Sequence, residues 1–560
     1  MSVYSADPQE IPAAISETHI APRRDISPFA LMLTGLGSII GSGWLFGAWR
    51  AAGLAGPGAI FTWLVGAAII TMIAITYSEL GAMFPDSGGM VRYGHYSHGM
   101  LVGFIAGWAN WIAIVSVIPI EAEASVQYTS SWPWAWAHGL YVQGAGGAGE
   151  LSASGLILAA LLVLVYFLLN FWSVKLFAHS NSLITLFKLV VPALTGVALI
   201  ASGFHTGNFS VPAQGGVSTF DLPAILTAVA TAGIVFSYNG FQSPINLAGE
   251  ARNPGRSVPL AVLGSIALAT VIYLLLQVAY LGAVPPDLLA KAGWHGIDFA
   301  SPFAELAIVI NLQWLAVLLY VDAFISPSGT GLTYTATTAR MIYGMERNGT
   351  MPKMFGRIDP YWRVPRPAMF FNLAVSYLFL IFFRGWSTLA AVISVATIIS
   401  YLTGPISVMA LRRYAPELHR PLRIPGMSLL APVSFVLATE LLYWARWPLT
   451  GEIILLMLVA LPVYIYYQRR QGPKDLRNNL RASAWFLTYL PAIAFLSWIG
   501  STTFGGLGYL SYGPDLAVVA VVALGFYFWG VRSGWRTPAL EQAKNGHIEA
   551  APELAMPLAK

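Results

Sequence analysis

The chain has 560 residues, of which 56% are hydrophobic and 10% are charged, and its mean hydropathy is +0.65. Soluble domains carry about 25% charged residues, so this composition excludes a soluble globular protein and predicts a polytopic membrane protein. The formal net charge is +5, and the absence of cysteine excludes disulfides, thiolate metal sites and cysteine nucleophiles.

Residues 1–28 form a polar N-terminal segment, and residues 1–22 lack the basic, apolar and cleavage regions of a signal peptide. Beyond them, apolar runs of about 17 to 25 residues mark segments that can cross a bilayer. Fourteen runs follow in chain order: 29–54, 57–84, 101–131, 153–172, 181–203, 221–249, 258–283, 309–341, 367–384, 387–411, 428–446, 450–468, 482–500 and 513–531. The sequence therefore predicts an all-α polytopic membrane protein with about 14 transmembrane helices.

The positive charges divide unevenly between the loops. If the N-terminus is cytoplasmic, 25 of the 30 Lys and Arg residues fall on the cytoplasmic side. Arg50, Lys291, Arg384 and Arg446 then fall outside, and Lys188 lies within a span. Because cytoplasmic loops are enriched in Lys and Arg, this bias predicts a multi-pass protein of the cytoplasmic membrane with both termini inside.

The first span contains a glycine-rich stretch, Thr34–Gly47, in which five glycines and two serines interrupt the apolar pattern. In hydrocarbon every backbone polar group needs a partner, so a helix break at membrane depth is tolerated only where it is buried in protein or lines a polar site. N–H groups freed at such a break suit an anion. The candidate anion-binding residues are Ser38, Ile39, Ile40, Gly41, Ser42 and Gly43.

The sixth span has a second interruption around Gly233, Gly240 and Pro244. Spans one and six hold matching positions in two successive sets of five, and paired broken helices indicate an inverted-repeat transporter with its site near the bilayer midplane. One glycine-rich span alone would more often reflect close helix packing, so the pairing carries the prediction. The candidates to receive a cationic amine are Phe236, Ser237, Tyr238, Asn239 and Gly240.

Four motifs in the right order resemble the amino acid/polyamine/organocation permeases. They are Gly-Ser-Ile-Ile-Gly-Ser-Gly-Trp-Leu-Phe at 37–46, Tyr-Ser-Glu-Leu-Gly-Ala-Met-Phe-Pro at 77–85, Phe-Ser-Tyr-Asn-Gly-Phe at 236–241 with the Leu-Ala-Gly-Glu-Ala-Arg-Asn-Pro-Gly loop after it, and Ala-Arg-Met-Ile-Tyr-Gly-Met-Glu-Arg-Asn-Gly at 339–349. The fourteen spans and the sixth-helix sequence look closest to the aspartate–proton symporter branch. This chain has Gln242 where that branch carries a basic residue.

The resemblance implies a leucine-transporter-like fold with a five-plus-five inverted repeat, at 29–203 and 221–411, and additional helices at 428–531. The tail at 532–560 is charged and alanine-rich, and we expect it to be cytoplasmic and disordered. The resemblance also implies proton- or sodium-coupled uptake of an amino acid, with the carboxylate on the first break and the amine on the sixth.

Lys188 lies within the fifth span, where an ammonium costs about 2.5–3.5 kcal/mol and is usually kept for a function. In proton-coupled members of the family, a lysine in this helix occupies the place of sodium in related transporters and bridges the first and eighth helices. Lys188 matches that position, so we expect a proton rather than sodium as the coupling ion, and no other cofactor. The alternative is a lysine that snorkels to the cytoplasmic face.

Carboxylates within the spans are further candidates for proton transfer, and Glu121 and Asp322 lie well inside theirs. Glu123 is two residues from Glu121, so the two do not share a helix face, and we expect only one to point inward. Glu79 and Glu250 are expected near the cytoplasmic face, where Arg92, Arg252 or a backbone turn would pair with them.

Three histidines, His95, His98 and His179, are predicted in cytoplasmic loops and have no metal-ligand spacing, so solvent-exposed or interfacial histidine is expected. The spans offer no converging nucleophile and base, which disfavours a membrane-embedded enzyme. A proton symporter of amino acids is the leading interpretation, without a nucleic-acid partner. An amino acid or polyamine exchanger and a non-coupled receptor or channel stay open, as do the substrate side chain and the oligomeric state.

Overall fold

The structure of the chain is a computed structural model that describes residues 25–85, 89–142, 149–172, 174–213, 218–347, 349–359, 362, 364–471 and 475–544. Within these residues, eleven helical segments are long and apolar enough to cross a membrane, and four of them contain two helices each: Gly43–Met83, Met100–Thr129, Trp386–Tyr414 and Leu449–Arg470. Three shorter apolar helices, Pro28–Ile39, Leu222–Thr231 and Arg366–Phe382, coincide with further predicted spans. The predicted all-α polytopic architecture is confirmed.

The first five predicted spans are built from seven helices, and an eighth lies between the second and third spans. In chain order they are α1 (Pro28–Ile39), α2 (Gly43–Ala55), α3 (Ala59–Met83), α4 (Gly89–His98), α5 (Met100–Val115), α6 (Val117–Thr129), α7 (Ala153–Trp172) and α8 (Val174–Ser202). A short antiparallel hairpin of β1 (Tyr141–Val142) and β2 (Glu150–Leu151) precedes α7. Helix α1 begins where Ser27 caps it by accepting a hydrogen bond from Ala30 N, with Pro28 in its first turn.

The next five predicted spans contain eight helices: α9 (Leu222–Thr231), α10 (Ile234–Ser237), α11 (Ser243–Asn246), α12 (Pro254–Ala283), α15 (Gln313–Arg347), α16 (Arg366–Phe382), α17 (Trp386–Tyr401) and α18 (Thr403–Tyr414). Two more helices, α13 (Pro286–Gly296) and α14 (Pro302–Val309), lie between the seventh and eighth spans. The remaining helices are α19 (Met427–Trp444), α20 (Leu449–Leu458), α21 (Ala460–Gln471), α22 (Leu476–Ile499), α23 (Pro514–Ser533) and α24 (Pro538–Lys544). The repeat boundaries at 29–203, 221–411 and 428–531 stay a prediction.

Helix packing places the broken spans side by side. Helix α12 packs along α3 and α1, while α15 packs along α6 and α8. Helices α10 and α11 of the sixth span contact α2 and α1, respectively. The third span, α5 and α6, is almost completely enclosed by other helices.

The arginine partner expected for Glu79 was wrong. Glu79 pairs with Arg412 of α18 through two hydrogen bonds of 2.8 and 2.5 Å, rather than with Arg92 or Arg252, and also accepts from Ile424 N. In the tail, Trp535 and Thr537 donate to the last carbonyls of α4, ahead of the short helix α24. Residues 545–560 lie outside the described part of the chain, and the disorder of the tail stays a prediction.

The expected exposure of His98 was also wrong, since it belongs to α4 and is fully buried, whereas His95 of the same helix is half-buried. His98 Nε2 donates to Gly530 O at 2.8 Å, and its Nδ1 lies 2.7 Å from Ser97 Oγ. Gly530 belongs to α23, which therefore packs against the ring of His98. The sequence around His98 does not indicate that a helix so distant in the chain packs there. The side chain of His179 lies outside the described residues.

We expect buried His98 to make stability fall in acid. Burial lowers the pKa of His98 to about 4, although the Gly530 carbonyl acts in the opposite direction. The unfolded chain takes up a proton below about pH 6.5 and the folded chain does not, so each pH unit between about 6.5 and 4 costs at most about 1.4 kcal/mol. The melting temperature of purified protein at pH 4.5 to 7.5 should therefore fall less steeply for His98→Gln than for the wild type. Exposed His138 provides the control His138→Gln, and equal slopes for wild type and His98→Gln would contradict the prediction.

Candidate binding site at the paired helix breaks

The first span breaks between α1 and α2, as the glycine-rich stretch predicts. Ile40 is extended (φ −83°, ψ 95°), and α2 restarts at Gly43. Ile40 N still donates to Leu36 O and Gly41 N to Ile39 O. Among the N–H groups predicted to hold an anion, that of Ser42 donates to a side chain outside the first span.

A carboxylate already lies at this break. Ser42 N donates to Glu121 Oε2 at 2.8 Å, and Glu121 comes from the third span. Glu121 is fully buried, and its second oxygen, Oε1, has no hydrogen-bond partner among the described residues. The start of α2 thus holds a carboxyl group that the protein itself supplies, at a helix end that suits negative charge. A Cβ at Gly41 would collide with Glu121 Oε1, so only glycine admits this approach.

The sixth span breaks where two glycines adopt positive φ angles. Gly233 (φ 81°) separates α9 from α10, and Gly240 (φ 125°) lies directly on the backbone of Ser38. Ser243 Oγ donates to Ser38 Oγ at 2.9 Å. The Tyr273 hydroxyl donates to Ser237 O at 2.8 Å. The two breaks therefore meet within one buried region.

Amide side chains line the sixth-span break. Gln242 Nε2 donates to Asn239 Oδ1 at 2.8 Å, and Gln242 Oε1 accepts from Gly240 N and from the Tyr401 hydroxyl. Asn239 Nδ2 is buried and has no hydrogen-bond partner among the described residues. A buried donor without a partner costs about 1–3 kcal/mol, so this amide is suited to a ligand oxygen.

Lys188 ties the first break to the eighth span. Its Nζ donates to Gly37 O at 3.1 Å and to Thr330 Oγ1 at 2.6 Å, which joins α8 to α1 and α15. The side chain is only 3% exposed. It therefore points into the protein and does not snorkel to the cytoplasmic face.

Asp322 lies within electrostatic range of Lys188 but makes no hydrogen bond to it. Asp322 is buried, accepts from Ser326 Oγ at 2.6 Å, and precedes Thr330 by about 12 Å along the helix axis. Glu123 is fully buried, and neither of its oxygens has a partner among the described residues. The expectation that only one of Glu121 and Glu123 points inward was wrong, because the third span has other helices on all sides.

The remaining predicted site residues line the breaks in different ways. Ile39 and Ile40 are buried between the spans. A Cβ at Gly43 would collide with Ser237. Phe236 packs edge-on against Trp386, with ring centroids 5.9 Å apart. Tyr238 points to α12 instead, where its hydroxyl lies 3.0 Å from Thr270 Oγ1.

Sequence reasoning missed two residues at the site. Trp386 Nε1 donates to Ser42 Oγ at 2.9 Å, and its ring stacks on Phe46. Thr330 accepts from Lys188 and lies 3.4 Å from Ile40 O. Neither residue stands out in its own apolar span, since their roles come from packing against the first break.

Comparison with known proteins identifies the family of the chain. The family model described as amino acid permease matches residues 26–466. The glutamate/serine transporter AimA of Bacillus subtilis is 56% identical over 94% of this chain and 98% of its own length. The aspartate-proton symporter of the same organism is 37% identical over 93% of this chain and 99% of its own length. The human large neutral amino acids transporter small subunit 2 is 27% identical over 78% and 79% of the two chains.

These relatives are transporters rather than enzymes, which confirms that prediction and supports a multi-pass membrane protein with a small-molecule substrate. The family match covers the described helices from α1 into α21, including both helix breaks and Lys188. The chain belongs to the amino acid permease family.

Proposed function

We propose that this chain imports an amino acid together with a proton by alternating access, with the substrate held between the first and sixth helix breaks. The observation that carries the proposal is the Glu121 carboxylate on Ser42 N. Lys188, which ties the same break to the eighth span, supports it. An anion site and a titratable cation thus meet at one helix interruption.

In this mechanism a proton on Glu121 opens the anion site. Once neutral, its carboxyl group binds Ser42 N less strongly, because hydrogen bonds to charged groups are the stronger ones. The substrate carboxylate then replaces it at the start of α2. Binding of the amino acid is coupled in this way to uptake of a proton.

The substrate amine binds on the other side, against main-chain carbonyls from Phe236 to Gly240. The chain is not regularly helical there, so these carbonyls have fewer helical partners. Asn239 Nδ2 supplies a neutral donor for an oxygen of the substrate side chain. Because AimA is named a glutamate/serine transporter, glutamate and serine are the first substrates to test, followed by aspartate.

Lys188 is the second titratable group of the mechanism. When charged it holds α1 against α15, and when neutral it releases them. The protonation state of Lys188 is therefore linked to the opening of the site. Lys188 matches the position that the resemblance assigns to sodium in related transporters, so we propose a proton as the coupling ion and no other cofactor. Asp322, in the same helix as Thr330, is proposed to pass the proton on.

Both termini are proposed to face the cytoplasm. The C-terminal segment, α4 and the loop after α18 meet on one face, joined by Arg536–Glu417 and Lys544–Glu417 pairs of 3.1 Å. Arg412 and Arg420 lie on the same face. Positive charge collects on the cytoplasmic side of membrane proteins.

Uptake of labelled glutamate or serine into proteoliposomes tests the coupling. Accumulation should require an imposed pH gradient, acid outside, and should stop when a protonophore collapses it. Uptake that does not depend on the pH gradient but requires amino acid inside the proteoliposomes would identify an exchanger. Binding without accumulation would identify a receptor or channel, and both results would overturn symport.

We expect Glu121→Gln to remove the pH dependence of substrate binding. Glutamine keeps the shape of the side chain but cannot ionise, so it imitates the protonated state at every pH. Affinity at pH 7.5 should rise by about tenfold, toward the wild-type value at pH 5.5, since a hydrogen bond to a charged group is worth about 1.5–3 kcal/mol.

Substrate-induced thermal shifts at the two pH values measure this affinity. Glu150 is exposed on β2, so Glu150→Gln serves as the matched control. If Glu121→Gln binds with the wild-type dependence on pH, Glu121 is not the group that opens the site.

A further inference from the structure

The helical hairpin of α21 and α22 carries four arginines at one end of two consecutive membrane spans. The span that contains α21 ends at Arg470, and the next span begins at Leu476. A short connection joins two antiparallel helices, so both ends lie at the same membrane face. The arginine patch consists of Arg469 and Arg470 in the last turn of α21 and of Arg477 and Arg481 in the first turns of α22, and all four are exposed.

A hydrogen bond fixes where this end of the hairpin lies. Asn479 of α22 is buried, and its Oδ1 accepts from the N–H of Met100, the first residue of α5, at 3.2 Å. Both α21 and α22 pack against α5. Helix α4, which ends at His98 just before α5, belongs to the face proposed above as cytoplasmic. The arginine patch therefore lies on that face, beside the start of the third span.

Exposed apolar and aromatic side chains lie next to the arginines on both helices. Ile465 and Tyr466 are 48% and 49% exposed, and each precedes an arginine of the patch by one turn of α21. Leu480 is 47% exposed and directly precedes Arg481. The guanidinium of Arg470 lies over the ring of Tyr466, 4.7 Å from its centroid. Because tyrosine in membrane proteins is enriched at the level of the headgroups, the patch lies where acyl chains give way to headgroups.

No acidic side chain neutralises the patch within the described part of the chain. Its four arginines form no ion pair there, whereas Arg412 and Arg536 on the same face each pair with a glutamate. Asp475 is exposed just before α22 and pairs with none of the four. Arg477 stands in the first turn of α22, where the helix dipole disfavours a cation. The positive charge therefore contributes nothing favourable to the helix that carries it.

A phospholipid with a negative headgroup matches both parts of this surface. The guanidinium group binds phosphate oxygens through paired hydrogen bonds, and basic residues at the cytoplasmic ends of membrane helices attract anionic lipids. We propose that the arginine patch is a binding site for anionic phospholipids. The headgroup binds the arginines, the acyl chains lie along Ile465, Tyr466 and Leu480, and the bound lipid holds α21 and α22 against α5. The site is separate from the proton coupling proposed above.

Thermal unfolding of the full-length protein in detergent tests the site. Phosphatidylglycerol and phosphatidylcholine with the same acyl chains are added separately to the micelles, and glycerol phosphate is added as a soluble headgroup. We expect a saturable rise of the melting temperature with phosphatidylglycerol alone, because a ligand that binds only the folded state stabilises it. The rise should weaken at high salt concentration, which screens exposed charges. In Arg469→Gln/Arg470→Gln and in Arg477→Gln/Arg481→Gln, half of the rise should require a several-fold higher lipid concentration.

Lys353 and Arg357, exposed between α15 and α16, give the matched control. Lys353→Gln/Arg357→Gln removes the same number of positive charges and should respond to lipid like the wild type. An equal loss of response in this control would overturn the site, because the charge of the whole face would then attract the lipid. The proposal also fails if both patch variants respond like the wild type, if phosphatidylglycerol has no effect, or if glycerol phosphate produces the same rise. The readout does not involve transport, so failure of the symport proposal would leave this result interpretable.

Discussion

Lys188→Ala is expected to abolish proton-driven uptake while leaving the protein folded. The substitution removes both hydrogen bonds of the ammonium, to Gly37 O and Thr330 Oγ1. Each charge-assisted bond is worth about 1.5–3 kcal/mol, and every 1.4 kcal/mol is about tenfold in an equilibrium. Initial uptake driven by a pH gradient should therefore fall by about a hundredfold or more in proteoliposomes.

Lys188→Arg separates charge from titration in the same experiment. Arginine keeps a positive charge at every accessible pH, so this variant should lose less of its substrate binding than of its coupled uptake. Lys291→Ala, at an exposed position of α13, is the matched control and should transport normally. Undiminished stimulation by the pH gradient in Lys188→Ala would eliminate the proposed role.

Gly43→Val should prevent substrate binding. A Cβ at this position would collide with Ser237 Oγ and approach Ser237 Cα to 3.0 Å, and Ser237 Cα is backbone that cannot rotate away. Overpacking of this kind costs about 1–3 kcal/mol, and here it would push the two helix breaks apart. The thermal shift produced by glutamate or serine should disappear in this variant.

Two further glycine variants accompany this experiment, one at the same helix break and one as a control. Gly41→Val should behave like Gly43→Val, because its side chain would itself fill the space at the helix break between Glu121 and Thr330. Gly525→Val places the same side chain on α23, where a Cβ meets nothing within 4 Å, and should bind normally. Unchanged affinity in Gly43→Val would remove the first helix break from the site.

The breaks in the first and sixth spans could be predicted from sequence because glycine-rich interruptions are costly at membrane depth. Gly233 and Gly240 have positive φ angles, which glycine adopts readily. Lys188 could be singled out for the same reason, since a charge within an apolar span needs a partner. Local composition carries these signals without knowledge of the neighbours.

The partners of these residues could not be predicted. Glu121 and Ser42 are 79 residues apart, and Glu79 and Arg412 are 333 apart. Each pair depends on which helix faces which, and the nearly uniform apolar surfaces do not encode that choice. The expected pairing of Glu79 with a nearby arginine and the expected exposure of His98 failed for this reason.

The sequence by itself determined the membrane class, the positions of the two breaks and the presence of a buried lysine, because each depends on the cost of placing polar groups in hydrocarbon. Only the tertiary structure decided that the first break already holds a carboxylate, Glu121, and that Lys188 joins α1 to α15. These contacts arise from the packing of distant helices, whose relative orientation is set by many small contacts together.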